Sequence, residues 1–143
     1  MYGTILASGK FPGFEFISIK FADEVVHKIT VTDKIDLEKR LPLYRETLAI
    51  NPSNKYFCIL DNSDGHENVF SYPDIVILDN LLIEAGIKYF YGATITSDPA
   101  YQKLVKLATH NARMSKLEGD LLATADPAEA EKFITDKINS LAR

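Results

Sequence analysis

Apolar and polar positions change their period several times along the chain, and each change marks a predicted element. Residues 14–21, Phe-Glu-Phe-Ile-Ser-Ile-Lys-Phe, partly alternate and are rich in β-branched and aromatic side chains, which predicts a strand. A tight connection at Ala22-Asp23 leads to residues 25–32, where Val25, His27, Ile29 and Val31 share one face of a second strand. The two predict a hairpin, with His27 packed as a structural histidine on its apolar face. From residue 33 the period lengthens. Leu37, Leu41, Tyr44 and Leu48 form a helical stripe, opened by Asp33 or Asp36 and closed by Asn51-Pro52. Pro42 lies inside it and predicts a kink or a late start, because proline has no amide hydrogen to donate.

Residues 55–61 are nearly all apolar over the length of a strand, as expected for one covered on both faces. A polar loop follows. Ser71, Pro73 and Asp74 then have the spacing of a helix start: a capping hydroxyl, a proline in the first turn and a carboxylate three residues after the cap. That helix should stop at Gly86. Ile75, Val76, Ile77, Leu78, Leu81, Leu82 and Ile83 exceed what one buried stripe needs, so the helix is expected to be deeply buried or to offer a partner surface or homodimer seam.

Residues 87–96 return to strand character, and Ser97-Asp98-Pro99 opens a helix with Tyr101, Leu104, Val105, Ala108 and Ala112 on one stripe. Residues 117–124 predict a last strand interrupted by Gly119. Asp126-Pro127 caps a closing helix that packs through Ala130, Phe133, Ile134, Ile138 and Leu141. The alternation after residue 33 implies parallel strands joined by crossover helices. The predicted fold is therefore a single α/β domain over residues 1–143: a mixed sheet with an N-terminal antiparallel hairpin followed by β-α-β-α-β-α units, its helices packed on the sheet.

Charge and composition narrow the function more than they name it. A net charge of −4, with no clustered basic face, argues against nucleic acid as a partner. The lone cysteine, Cys58, lies within an apolar run and reads as a small buried hydrophobe. Residues 1–10 lack the basic start and long apolar run of a signal peptide, and no segment approaches the roughly 20 apolar residues of a membrane span. A reduced cytoplasm is the expected location.

Candidate chemistry gathers at the carboxyl ends of the predicted parallel strands, where loops lead into helix starts. Asp61, Asn62, Ser63, Asp64, Gly65 and Ser71 form a candidate switch or contact loop; Thr94, Thr96 and Ser97 form a polar strand-end cluster. Each also has a plain reading as a turn residue or cap. His27, His66 and His110 fall on different elements, so no metal site is expected, and no phosphate-cradling or nucleophile-elbow motif occurs. No cofactor is expected. A relay of Ser63, His66 and Asp61 would be crowded into one short loop, which is poor geometry for catalysis. A response-regulator receiver would need an acidic pair after its first strand and a lysine after its fifth. Those places hold Ala22-Asp23 and Ala123-Thr-Ala125.

By its order of elements over residues 14–141, by Ile59-Leu-Asp-Asn-Ser63, and by residues 123–134 opening the last helix, the chain resembles the anti-sigma-factor antagonist (STAS) class. It particularly resembles uncharacterised relatives grouped with CRAL-TRIO lipid-transfer domains. The resemblance implies a noncatalytic regulatory or protein-interaction domain, in which Ser63 takes the place of the family's phosphorylated residue. Two departures weigh against a working switch: the loop runs on for several residues before Ser71, and Asp64 sets a negative charge beside Ser63. The leading expectation is a protein contact, with a partner or in a homodimer, through residues 61–71 and the following helix. The alternative is a small apolar, lipid-like ligand gated by the same loop; a small hydrolase at Ser63, Thr96 and Ser97 is the least favoured.

Overall fold

The computed structural model describes residues 3–114 and 117–142. Among them the elements run β1 (Thr4–Phe11), β2 (Phe14–Phe21), β3 (Glu24–Val31), α1 (Leu37–Ile50), β4 (Lys55–Asp61), α2 (Tyr72–Glu84), β5 (Tyr89–Ile95), α3 (Pro99–Met114), β6 (Glu118–Thr124) and α4 (Pro127–Leu141). The strands form one six-stranded sheet in sequence order, with β1, β2 and β3 antiparallel and β3 to β6 parallel. The hairpin and the β-α alternation are as the sequence predicts, and β1 is an addition to them. Its residues are mostly exposed or half-buried, and a register shift falls between Ile5 and Ala7. An exposed, bulged edge strand does not show the clean alternation that burial imposes on a central one.

Because each parallel crossover steps to the next strand in the same direction and keeps one hand, α1, α2 and α3 collect on one face of the sheet. The main core lies beneath them, with Phe14, Phe16, Ile29, Tyr56, Cys58 and Leu60 from the strands meeting Leu43, Tyr44, Leu78 and Leu82. The last helix, α4, follows no such constraint and covers the other face, where Ala130, Ile134 and Ile138 pack on Val26, Phe57, Ile59, Ala93 and Ile95. Burying each of those isoleucines stabilises the fold by ~1.5–3 kcal/mol. As its apolar run predicts, β4 is buried against both layers.

The predicted caps form. Ser71 N–H donates to Asp74 Oδ2 (2.9 Å) while Asp74 N–H donates to Ser71 Oγ (3.4 Å), a reciprocal capping box at the start of α2. Helix α2 ends at Gly86 with φ of 90°, where Gly86 N–H donates to Ile83 C=O (3.0 Å) and Ile87 N–H to Leu82 C=O (3.0 Å). Only glycine enters this left-handed terminus without strain. Asp36 caps α1 by accepting from Lys39 N–H (3.0 Å), and Asp126 caps α4 by accepting from Ala128 N–H (2.9 Å). The predicted interruption at Gly119 does not occur: β6 is continuous and Gly119 pairs with Phe90, a close approach that needs glycine because a Cβ there would fall on the Phe90 carbonyl.

Helix α1 departs from its predicted pattern in two ways. It starts at Leu37, well ahead of Pro42, rather than late. Its fully buried positions are Arg40, Leu43, Tyr44 and Thr47, so the inward stripe is turned away from Leu37, Leu41 and Leu48, which are only partly buried. The side chains of His110 and Ala112, like residues 1 and 2, lie outside the described residues.

Candidate functional site

Between the three-helix layer and the sheet lies a cavity of about 70 Å³. Cys58 and Leu60 of β4 and Gly92 and Thr94 of β5 form its sheet side; Tyr44, Leu78, Tyr101 and Val105 bring in the three helices. Gly92 helps to keep this space, since a Cβ there would lie 3.1 Å from Leu121 Cδ2 and 3.3 Å from Cys58 Sγ. The polar loop supplies another wall through Phe70. That loop is anchored rather than loose: Ile35 N–H donates to Glu67 C=O (2.9 Å) and Val69 N–H to Ile35 C=O (2.9 Å), an isolated parallel bridge to the β3–α1 connection.

Arg40 also lines this cavity and is only 2% exposed. Its Nη2 donates to Asn68 Oδ1 (2.7 Å), and its guanidinium carbon lies 4.2 Å from the centroid of the Phe70 ring. Both come from the loop and both are neutral, as is the Tyr44 hydroxyl of α1, which also hydrogen-bonds the guanidinium. The Nε–H has no hydrogen-bond partner, and among the described residues no carboxylate lies within ion-pair distance. The cavity's own acids do not supply the missing charge. Burial pushes the Cys58 thiol up to about 12, against the opposing pull of Arg40, and burial raises the Tyr44 phenol well above its ordinary range. A guanidinium cannot escape by losing its proton. The cavity is thus mainly apolar with one unneutralised cation in its wall.

The residues singled out from sequence disperse. Asn62, Gly65, Thr96 and Ser97 meet along a separate, more polar groove of about 340 Å³. There Asn62 clamps its own turn, its Nδ2 donating to His66 C=O (2.9 Å) and its Oδ1 accepting from His66 N–H (2.9 Å). Thr96 Oγ1 accepts from Asp98 N–H (3.1 Å). Thr94 instead faces the apolar cavity, and Asp61 borders a groove on the α4 side while accepting from Ser63 N–H (2.9 Å). Ser63 and Asp64 are exposed in a turn well before α2 begins at Tyr72, and Ser71 is occupied as its cap. Ser63 therefore does not sit at a helix N-terminus. Cys58 is buried, as its apolar run predicts. Among the described residues no three His, Cys, Asp or Glu side chains cluster as a metal site would need, and no helix is long and apolar enough to cross a membrane.

Sequence reasoning missed Arg40. A signal was present: Arg40 falls four residues before Tyr44, one helical turn away on the same face.

No protein-family model matches the chain, and no curated protein does. Among solved structures, it is similar to an uncharacterised DUF3478-family protein with a SpoIIAA-like fold from Shewanella loihica PV-4. The match has a TM-score of 0.52 at 16% identity and covers 90% of this chain and 98% of that one. The fold is therefore SpoIIAA-like, which is to say STAS-like, an α/β sheet with the N-terminal antiparallel strands described above.

Proposed function

We propose that the protein is a noncatalytic binding module that holds a small, largely apolar molecule in the cavity beneath α1, α2 and α3, with residues 61–71 as its cover. The observation that carries this reading is the cavity itself, apolar on its sheet and helix walls and closed on one side by Phe70 from an otherwise polar loop. A space of about 70 Å³ among large apolar side chains has room for a small apolar molecule. The test is methyl-resolved NMR of the intact protein titrated with short alkyl probes: pentanoate, pentanamide and pentanol. Saturable shifts confined to the methyls of Leu60, Leu78 and Val105 support the reading. Unmoved methyls with all three probes overturn it.

A second reading, a regulatory protein contact, is favoured by Val69, Tyr72 and Ile77. These residues are 45–46% exposed at the end of the loop and along α2. Ile77 is the exposed member of the apolar excess noted on that helix, whose inner side is formed by Ile75, Leu78 and Leu82. If they form a contact, Ile77→Asp weakens self-association or partner capture without altering the fold; unchanged association would remove this reading.

A further inference from the structure

We infer that the molecule held in this cavity carries an anionic head, a carboxylate on a short alkyl tail, and that Arg40 receives it. The inference rests on the proposal that the cavity binds a ligand and names that ligand's chemistry. Arg40 is a cation at 2% exposure whose Nε–H has no partner among the described residues, in a wall otherwise formed by apolar and neutral groups. Buried charges in folded proteins are paired, and an unmet donor on one is rarer still. Asn68, the Tyr44 hydroxyl and the Phe70 ring hold the guanidinium in place, but none of them brings a negative charge. What is missing is an acceptor that is anionic and small.

Volume limits the rest of the molecule. About 10–15 Å³ of such space houses one water, so 70 Å³ takes roughly five to seven heavy atoms. A carboxylate suits both constraints, because its planar pair of oxygens matches the guanidinium fork and its single charge balances the one cation present. The remaining atoms would lie against Leu60, Leu78 and Val105, which ask for a hydrocarbon tail. Two neutral partners of Arg40, Asn68 and Phe70, belong to the loop, so ligand and loop meet at the same side chain. Occupancy is therefore expected to reach Asn68 and Phe70 and through them the loop.

The deciding experiment compares pentanoate with its neutral isostere pentanamide on the unmodified protein at pH 7, by the same methyl shifts and by calorimetry. Pentanoate is expected to bind at least tenfold more tightly, and Arg40→Met is expected to remove that preference while pentanamide affinity stays within about threefold. Equal affinity of the two probes overturns the anionic head and leaves the apolar cavity reading standing. Binding of neither overturns both. The amide signals of Asn68 and Phe70 should shift with pentanoate only; their silence at saturation would sever the link between ligand and loop. Should Arg40→Met fail to fold, the ratio measured on the unmodified protein still decides.

Discussion

His27 and Arg40 are both nearly sealed from solvent on the helix-covered side of the sheet, at 0% and 2% exposure, and they are treated very differently. Around His27 every polar atom is met. Asn51 Nδ2 donates to the carbonyls of Ser53 (3.0 Å) and Lys55 (2.9 Å), which turns its Oδ1 toward the ring. His27 Nε2–H donates to that oxygen (2.9 Å), so the neutral ring accepts at Nδ1 from the Ser18 hydroxyl (2.7 Å). Tyr56 stacks on the imidazole at 4.7 Å and sends its own hydroxyl to Thr47 Oγ1 (2.8 Å). This network joins β2, β3 and the end of α1, and nothing in it is left for a ligand. Arg40, by contrast, keeps a full charge and an idle donor. Burial of a polar group is thus a poor marker of a site, whereas a buried polar group with an unmet requirement is a good one.

The largest expected effect tests the closed nature of the His27 network. Burial lowers its pKa from 6.5 to about 4, against the opposing effect of its hydrogen bond to Asn51. Between those values the unfolded chain takes up a proton that the folded chain refuses. The corresponding stability is fully present above pH 6.5 and is lost as pH falls toward 4, about 3 kcal/mol at ~1.4 kcal/mol per pH unit. Urea unfolding across that range should show this loss, and His27→Gln should flatten it relative to the unmodified protein. A slope unchanged by the substitution would mean that the ring is not held neutral.

Next in size, Asn51→Ala removes the acceptor of His27 and two donors to the following turn, and should cost about 2 kcal/mol in the same assay. Asn68→Ala takes from Arg40 one side-chain acceptor and should cost about 1.5 kcal/mol, the value of a hydrogen bond to a charged group; added pentanoate should recover part of it. The smallest effect has the opposite sign. Arg40→Met replaces an unneutralised buried cation with an apolar chain of similar length and should leave stability unchanged or raise it by about 1 kcal/mol. A loss of several kcal/mol from Arg40→Met would place Arg40 beside His27 as a structural group and erase the distinction between them.

Local rules made much of the architecture legible from the chain alone. The capping box at Ser71 and Asp74, the stop at Gly86, the Asp126 cap and the continuous apolar run of β4 each depend on neighbours a few residues apart, so they are written where they act. From these the strand and helix order follows, and from the order the SpoIIAA-like sheet. The edge strand β1 was hidden because exposure removes the selection for alternation that makes a strand visible. The candidate loop was legible as a loop, yet its partners were not: Asn62 and Gly65 join Thr96 and Ser97 across the sheet's end, while Thr94 and Phe70 go to the cavity.

Arg40 shows where the division falls. The sequence by itself determined that a helix would carry a basic residue four places before a tyrosine, on the same face. Only the tertiary structure decided that this residue would be sealed under Phe70 and Asn68, some thirty positions downstream, with no carboxylate among the described residues to meet it. The reason is physical. Caps and periodicity are energies of adjacent groups, whereas the state of a buried charge is set by everything that packs around it, and that assembly exists only once the chain has closed.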